Sequence, residues 1–538
     1  MPLTRRAALA AAAGGVGLVV ADQRPSAATT PFYVNPFTLG VASGEPTPDG
    51  FVIWTRLAPR PLTSDGTGGV GTRRFTVDWQ VSRRSDFATI ERKGSVRTSK
   101  SGGHALHVTL TVLEPGREYW YRFRVGKWLS SVGRAVTAPR LDAAVTALTV
   151  AQLSCANWQN GWFTVYRRAA EQQPDFFVHL GDFIYESASQ DTGPRAHVGA
   201  ECVTLADYRR RYAQYRTDPD LQFAQASAPF VAVYDDHEVD NDWAANSPST
   251  PFADFASRRR KALRAWYENH PVRTFSRPAA DGSVRAYRRV FWGKLLTAHV
   301  LDTRQYRSDQ VGNGAITEDP ARLDPTRTML GATQEGWLQQ NLQGSTARWD
   351  LIAQQVMLTQ RRVEVGGTRG WSADAWDGYV PARQRLLAAT AAARNAVFLS
   401  GDSHAAWANL IQADFEIPDS PTVGVELSNT SVASGGDGFD GDGTHPFMAA
   451  NPNLRFYNSL RGFHLLRFTP GELVADYRCV ATVTTPGDTD WTRARFVVAD
   501  GQPGLDQTLD QPSAPTSPTQ RRAPRDLATA TLKAEGLL

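Results

Sequence analysis

Seven side chains that can bind metal ions closely follow short apolar segments of this chain. They are Cys155, Asp182, Tyr185, Asp236, His237, Asp402 and His404. Thiolate, phenolate and imidazole groups bind transition metals, whereas several carboxylates together suit a hard cation such as calcium. A site with both kinds of donor can hold two or more ions, with Asp182 as a bridge. Two adjacent cations would clamp a phosphoryl group, and a metal-bound hydroxide formed near neutral pH would attack phosphorus in line.

Each of these residues also has a purely structural interpretation. Asp182 could form a turn after its strand, and Tyr185 could be the wall of a pocket. Cys155 could be a small buried hydrophobic residue. The pairs Asp236–His237 and Asp402–His404 could each belong to a helix N-cap. Metal binding is the favoured interpretation, because four separate strand ends carry ligand types and such clusters are scarce elsewhere in the chain.

The elements that must position these side chains alternate between strands and helices from residue 144 onward. In Phe176–Leu180, four of five residues are apolar or aromatic, and Gly181 follows, which predicts a buried parallel strand that ends in a tight turn. The other predicted strands are Ala147–Leu153, Phe230–Val233, Leu295–Leu301, Trp349–Gln354, Ala396–Leu399, Thr422–Leu427 and Gly462–Phe468. Helices are predicted at Phe163–Gln173 and Leu205–Tyr215. Active sites of open α/β sheets lie outside the C-terminal ends of their strands, so chemistry is expected there.

The region before residue 140 has a different, all-β pattern. The predicted strands are Phe51–Thr55, Phe75–Val81, Ala105–Leu113 and Tyr119–Val125, separated by turns rich in Gly, Pro, Asp and Ser. This spacing predicts an immunoglobulin- or fibronectin-like β-sandwich over residues 36–140. An α/β domain is predicted over residues 144–500, and a Pro/Gln/Thr-rich mobile tail over residues 501–538.

The N-terminus carries the features of an export signal. Arg5 and Arg6 precede a weakly hydrophobic Ala/Gly/Val run, and a cleavage-like Ser26-Ala27-Ala28 follows. The paired arginines predict a twin-arginine signal peptide over residues 1–28, and hence secretion of a folded protein by the twin-arginine machinery. No other segment is apolar over the roughly 20 residues that a membrane span requires.

The net charge and the cysteine count bear on nucleic-acid binding and on disulfide bonds. A net charge of +4 over 538 residues gives no indication of nucleic-acid binding. Three cysteines cannot form a disulfide framework, so at most one pair forms. Whether Cys202 and Cys479 pair is left open.

Several motifs resemble those of a known superfamily. Strand-end motifs of the types GDxxY, GNHE and GHxH mark the metallophosphoesterases, and this chain has Gly181-Asp182-Phe183-Ile184-Tyr185, Asp235-Asp236-His237-Glu238 and Gly401-Asp402-Ser403-His404. The substitutions resemble those of the alkaline phosphatase D (PhoD-like) family. Val41–Pro46, Ile53–Arg56, Val239–Asn241 and Leu301–Arg307 are also similar to that family, which covers about residues 36–500. Tyr234 and Asp242 depart from its usual pattern and put the details of the substrate pocket in doubt.

The resemblance implies a fold, cofactors and residue roles. The α/β domain would be an αββα metallophosphoesterase sandwich that binds Fe³⁺ and two Ca²⁺ ions. Iron ligands would be Cys155, Asp182, Tyr185 and His404, and Asp182, Asp236 and Asp402 would reach the first calcium. The resemblance leaves the ligands of the second calcium unassigned. His237 would donate a proton or stabilise the transition state, and Arg304 would clamp phosphate oxygens. An arginine in a loop is also commonly a salt-bridge partner.

The main functional hypothesis is a secreted, monomeric phosphatase that hydrolyses small phosphate monoesters. A phosphodiesterase is the first alternative, with phospholipids in a phospholipase D-like reaction or teichoic acid as substrates. A non-catalytic extracellular metal-binding adhesin is the second. An iron oxidoreductase is disfavoured, because the proposed ligands leave few open positions on the iron for oxygen chemistry.

Overall fold

The structure is a computed structural model, which describes residues 32–190, 193–365, 368–417, 419–487, 489–512 and 531–533. The strands are β1 (Val41–Thr47), β2 (Gly50–Arg56), β3 (Thr76–Ser82), β4 (Arg92–Arg97), β5 (Ala105–Thr109), β6 (Glu118–Val125), β7 (Trp128–Leu129), β8 (Gly133–Val136), β9 (Leu148–Leu153), β10 (Phe176–His179), β11 (Phe230–Ala232), β12 (Arg288–Trp292), β13 (Leu296–Val300), β14 (Ile316–Thr317), β15 (Trp349–Ala353), β16 (Arg362–Val365), β17 (Thr368–Ser372), β18 (Ala396–Ser400), β19 (Ala406–Gln412), β20 (Thr422–Ser428), β21 (Leu454–Asn458), β22 (Gly462–Phe468), β23 (Glu472–Val480), β24 (Asp490–Ala499) and β25 (Asp506–Asp510). The α-helices are α1 (Thr164–Glu171), α2 (Leu205–Tyr215), α3 (Pro219–Ser227), α4 (Phe255–Asn269), α5 (Gly331–Gln343) and α6 (Val380–Thr390). Short 3-10 helices lie at Thr274–Ser276, Val311–Gly314, Pro320–Leu323, Trp376–Tyr379 and Pro446–Ala449.

Two mixed sheets form the centre of the molecule. The first has the order β25-β24-β23-β22-β9-β10-β11-β1-β2-β5, and the second has the order β12-β13-β15-β18-β20-β19-β21. Side chains from both sheets meet in one large apolar core, which includes Val150, Val178, Leu351 and Leu399. The other face of the second sheet packs against α5 and α6, while α1, α2, α3 and α4 pack on the first sheet. The predicted αββα sandwich is confirmed.

The predicted strands and helices of the α/β domain are present with small shifts at their ends. The predicted strand Phe176–Leu180 is β10, whose residues are all buried, and it lies between parallel neighbours β9 and β11. The predicted helix Leu205–Tyr215 has those bounds. It begins there because Thr204 and Asp207 form a reciprocal capping box.

The N-terminal region is a two-layered β structure, as predicted, but one of its layers belongs to the central sheet. β1, β2 and β5 continue the first sheet beyond β11. β3, β4, β6, β7 and β8 form the facing layer, with Phe51, Ile53, Val77 and Tyr121 in the core between them. β1 joins β11 where Gly44 pairs with Phe230. A β-carbon at Gly44 would lie 2.5 Å from the Phe230 carbonyl oxygen, so this junction requires glycine.

The predicted mobile tail is wrong for the parts of residues 501–538 that the structure describes. β25 pairs with β24 along Asp506–Asp510, and Leu532 is fully buried beside Trp407 and Tyr457. A polar composition did not reveal that Asp506–Asp510 pairs with the preceding strand, or that Leu532 packs on residues far away in the sequence.

Three remaining predictions concern the cysteines, the membrane and the N-terminus. Cys155, Cys202 and Cys479 are all buried free thiols, so Cys202 and Cys479 do not pair. None of the helices among the described residues is long and apolar enough to cross a membrane. The predicted signal peptide, residues 1–28, lies outside the described residues.

Candidate metal centre

The candidate site lies where the C-terminal ends of four strands meet. Cys155 follows β9, Asp182 follows β10, Asp236 follows β11 and Asp402 follows β18. The first three strands are parallel neighbours in the first sheet, and β18 belongs to the second. The Ala156 N–H donates to the Asp182 carbonyl at 2.8 Å and ties two of these ends together. The site therefore occupies the edge at which chemistry is expected in an α/β sheet.

Four of the predicted ligands have a left-handed backbone. The φ angle is 59° at Cys155, 54° at Asp182, 62° at Asp402 and 51° at His404. This conformation costs non-glycine residues roughly 1–2 kcal/mol each, and such strained residues cluster at functional sites. Here the strain coincides with the place where the potential ligands converge.

Cys155, Asp182, Tyr185 and His404 form one end of the site, which we call the thiolate end. One ligand atom from each of Cys155, Asp182 and His404 lies within 4.8 Å of the others. The Tyr185 hydroxyl donates to Asp182 Oδ2 at 2.8 Å and lies 3.0 Å from His404 Nε2. It also accepts a hydrogen bond from Ser434 Oγ at 2.6 Å. All four predicted iron ligands are thus brought together.

Asp235, Asp236 and Asp402 form the other end, which we call the carboxylate end. One oxygen of each lies within 4.8 Å of the others. The Arg304 side chain bonds this group, since its Nε donates to Asp235 at 2.5 Å and its Nη2 donates to Asp402 at 3.0 Å. Its Nη1 donates to both oxygens of Asp374 at 2.9 Å. Asp182 connects the two ends, because its carboxylate also lies within 4.8 Å of the Asp236 and His237 ligand atoms.

This geometry does not support the predicted role of Arg304 as a phosphate clamp. The side chain is fully buried, and each of its three guanidinium nitrogens already donates to a carboxylate. Burial alone would lower the pKa of Arg304, but Asp235 and Asp374 outweigh it and hold the pKa well above the usual value. The salt-bridge interpretation of Arg304 fits the structure, and the residue balances the charge of the carboxylate end.

His237 lies beside the thiolate end in a defined orientation. Its Nδ1 is 2.7 Å from Glu186 Oε2, and its ring packs on Tyr185 with a centroid distance of 4.0 Å. Burial opposes the charged form, but Glu186, Asp236 and Asp182 outweigh it and raise the pKa of His237 well above its usual value. Because Nδ1 is used by Glu186, Nε2 is the ring nitrogen left for a reacting group.

Glu238 and Gly181 hold the strand-end loops in place. The Glu238 carboxylate accepts from the N–H groups of Asp182, Phe183 and Asp235 at 3.0, 2.8 and 2.9 Å. Gly181 has a φ angle of 111°, and a β-carbon there would lie 2.3 Å from the Asp235 nitrogen. The loops after β10 and β11 therefore approach too closely for any side chain at position 181.

The donor set of the thiolate end suits a bound transition metal. Burial is the main reason that the pKa values of Cys155, Asp182 and Tyr185 lie well above their usual ranges, and repulsion from neighbouring anions adds to it. A cation bound between these groups would favour their ionised forms. Thiolate, phenolate, imidazole and carboxylate together fit a ferric ion, and the three clustered carboxylates fit calcium.

A narrow cavity of about 50 Å³ opens beside the site. Asp182, Asp236, His237, Asp402 and His404 line it. Asp242, Asp374 and Arg361 also face the cavity. A small ligand in this cavity would therefore contact both ends of the site, close to His237.

Several residues of the site were not identified from the sequence. Asp235 stands beside Asp236 after the same strand, and this doublet was the available signal. Asp374 follows the hairpin strand β17, and Ser434 follows β20 by six residues, so neither carried a strand-end signal. The two cap interpretations are also wrong. Asp402–His404 precedes strand β19 rather than a helix. Asp236 begins only a single turn, in which its carbonyl accepts hydrogen bonds from the N–H groups of Val239 and Asp240.

The chain is similar to proteins of known function over almost its whole length. Residues 148–477 match a family model described as PhoD-like phosphatase, and residues 23–139 match its N-terminal domain. Alkaline phosphatase D of Bacillus subtilis (strain 168) is 40% identical over 485 residues, which cover 88% of this chain and 82% of that protein. A solved structure of PhoD has 38% sequence identity and a TM-score of 0.88, and covers 94% of this chain and 98% of that one.

Proposed function

The chain belongs to the PhoD-like phosphatase family of phosphoric ester hydrolases, and we propose that it acts as an exported phosphatase that requires iron and calcium. One observation carries this proposal. Seven potential ligands or catalytic groups from four strand ends, of the types that ferric iron and calcium prefer, converge at one place, and five of them line one cavity. The adhesin hypothesis does not hold, because the relatives of this chain are phosphatases.

In this proposal the two ends of the site bind different cations. Cys155, Asp182, Tyr185 and His404 would hold Fe³⁺, and Asp182, Asp236 and Asp402 would reach Ca²⁺. Asp235 is a further candidate ligand, because its carboxylate belongs to the same cluster as Asp236 and Asp402. The bound cations would supply positive charge to the phosphoryl oxygens and acidify a water molecule.

The residues of the chain would perform the remaining tasks. Glu186 holds His237 through Nδ1 at 2.7 Å, which leaves Nε2 to give a proton to the leaving oxygen of the ester. Arg304 holds the carboxylates in position through its hydrogen bonds, so that they would present oxygens to a cation. The narrow cavity limits access of bulk water to the phosphoryl group.

Calcium depletion tests the requirement for both ions. A calcium-selective chelator is expected to abolish hydrolysis of p-nitrophenyl phosphate, and added calcium is expected to restore it while the iron content stays constant. Iron content measured on the same samples is the control for nonspecific stripping. Full activity in excess chelator would remove calcium from the proposal.

Monoesters are the proposed substrates, and phosphodiesters remain the alternative. A monoester places one organic group outside the narrow cavity, whereas a diester must place two. Comparison of kcat/KM for p-nitrophenyl phosphate and bis-p-nitrophenyl phosphate separates them. A higher value for the diester would favour the phosphodiesterase, with phospholipid or teichoic acid as the class of substrate.

Export by the twin-arginine route is proposed from Arg5 and Arg6. Replacement of both by lysine is expected to leave the precursor in the cytoplasm, folded and with its metals bound. Normal export of the double variant would indicate the general secretory route instead.

A further inference from the structure

A second cavity, of about 520 Å³, lies outside the candidate metal centre. It is an open cleft lined by one face of α4, by the loop Ser99–Gly102 of the N-terminal region and by the segment Arg277–Gly282. None of its described lining residues also lines the cavity at the metal centre. Its volume is in the range of cavities that bind small organic ligands.

The cavity is strongly basic. Arg260, Lys261 and Arg264 come from one face of α4, because residues three and four positions apart share a face of a helix. Arg277 comes from the segment Arg277–Gly282. Within the described parts of the chain, Arg260, Lys261 and Arg277 form no ion pair. A cleft lined by charges of one sign concentrates counter-ions.

The acidic residue in the lining is already neutralised. Glu268 is buried and accepts from Arg209 through both of its oxygens, each at 2.6 Å. Arg264 also donates to Glu268, at 3.0 Å, and to the Ser101 carbonyl. Glu268 is therefore engaged by Arg209 and Arg264, which leaves the charges of Arg260, Lys261 and Arg277 available to an anion from outside the chain.

The lining also includes apolar and aromatic surface, beside the serines Ser99, Ser101 and Ser257. Tyr267, Leu205 and Pro278 contribute to the walls, and the Tyr267 ring is fixed by stacking on His107 at a centroid distance of 4.8 Å. A phosphate ion alone would use the cations and leave these surfaces without a contact. A ligand with a phosphate group and an apolar or aromatic part would use both.

We propose that this cavity binds a small organic phosphate separately from the catalytic site. Arg260, Lys261 and Arg277 hold the phosphate group, since guanidinium and ammonium groups donate charge-assisted hydrogen bonds to phosphate oxygens. Tyr267 and Pro278 contact the organic part. The alternative is that the basic side chains of α4 only contact water. In that case, removal of the three charges would not change the binding of organic phosphates.

The binding experiment uses the metal-loaded full-length protein and phenylphosphonate. This probe has a phosphorus–carbon bond in place of the ester, so phosphatase activity does not consume it. Calorimetric titration is expected to show one phenylphosphonate fewer per chain for the R260Q/K261Q/R277Q variant than for the natural protein. Turnover of p-nitrophenyl phosphate is expected to stay unchanged, because the three residues lie outside the catalytic cavity.

A matched variant controls for the loss of charge. Arg74, Lys93 and Arg97 are exposed in the N-terminal region, and R74Q/K93Q/R97Q removes the same charge without touching the cavity. This control is expected to bind as many probe molecules as the natural protein does. Equal stoichiometry and affinity in the R260Q/K261Q/R277Q variant and the natural protein would overturn the proposal.

Two further measurements need no variant. Saturating phenylphosphonate is expected to protect Lys261 from acetylation by acetic anhydride while Lys93 stays reactive, and unprotected Lys261 would contradict the proposal. Inorganic phosphate is expected to bind this cavity at least about tenfold more weakly, because it lacks the ring that packs on Tyr267. Equal affinity for both would rule out an organic phosphate as the ligand. None of these outcomes depends on the ester specificity of the catalytic site.

Discussion

The two ends of the candidate metal centre differ in what stabilises their buried ionisable groups. At the thiolate end, Tyr185 links two of the other donors by hydrogen bonds, since its hydroxyl donates to Asp182 and lies 3.0 Å from His404 Nε2. The carboxylate end is organised by Arg304, which bonds Asp235, Asp374 and Asp402. The thiolate end thus needs an external cation to ionise its donors, whereas the carboxylate end already contains one from the chain.

This difference predicts different responses to substitution. A change at the thiolate end should alter the metal that is bound and its chemistry, because burial and neighbouring anions oppose ionisation of the donors there. A change at Arg304 should first destabilise the protein, because several buried carboxylates would lose their partner. Substitution of Asp182, which belongs to both ends, should affect both.

The largest effect is expected from Asp182→Asn. The amide has almost the same shape but removes the charge that both ends share, so both iron and calcium should bind more weakly. We expect kcat to fall by more than the roughly 10–100-fold typical of residues that only support ligands. Metal content and kcat measured on the same preparation check this. Asp86→Asn, at an exposed ion pair with Arg84, is the control, and near-normal turnover of Asp182→Asn would contradict a shared ligand.

Substitutions of His237 and Glu186 distinguish a residue that reacts with the substrate from a residue that only positions the reacting side chain. His237→Ala is expected to lower kcat by about 10²–10⁴-fold, the range for a lost general acid, and to leave both metals bound. Glu186→Gln still accepts a hydrogen bond from Nδ1 and should cost less, about 10–100-fold. The comparison of kcat and metal content in the two variants tests this order. A larger loss for Glu186→Gln than for His237→Ala would indicate that Glu186 has a direct role.

Arg304→Lys tests the carboxylate end. The ammonium group keeps the charge but cannot reach Asp235, Asp374 and Asp402 together, so we expect the free energy of unfolding to fall by about 3 kcal/mol. Chemical denaturation measures this loss, and the KM for p-nitrophenyl phosphate should change little. Unchanged stability with a strongly raised KM would instead restore the role of Arg304 as a phosphate clamp.

The smallest effect concerns the stability of the protein at low pH, and it arises from His179 in β10, the strand that precedes Asp182. Burial lowers the pKa of His179, in β10, to about 3, whereas an unfolded histidine has a pKa of about 6.5. The unfolded state therefore binds the proton first as the pH falls, and stability that is complete above about pH 6.5 is lost toward pH 3.

His179→Gln removes this titration. Between pH 6 and pH 4, the free energy of unfolding of the natural protein should fall about 1.4 kcal/mol per pH unit more steeply than that of the variant. Denaturant unfolding at several pH values measures the two slopes. Parallel slopes would show that His179 does not contribute to the acid sensitivity.

The sequence predicted the thiolate end better than the carboxylate end, for a physical reason. Cys155 and Asp182 follow neighbouring parallel strands, whose C-terminal ends meet at one edge of the first sheet, and His404 follows the buried strand β18 of the second sheet within a few residues. Asp374 and Arg304 meet only through the packing of a hairpin against the second sheet, 70 residues apart in the chain. The bridge from β1 to β11 was missed for the same reason, because an alternating pattern does not specify its partner strand.

The assignment of Tyr185 as an iron ligand is the central claim, and visible absorption tests it most directly. A phenolate bound to Fe³⁺ should give a charge-transfer band and a visible colour. Tyr185→Phe keeps the ring that packs on His237 and removes only the oxygen that contacts Asp182, His404 and Ser434. We expect the natural protein to be coloured, Tyr185→Phe to lose the band and most of the activity, and His237→Ala to keep the colour. A natural protein that contains iron and turns over normally without a visible band would contradict the phenolate ligand.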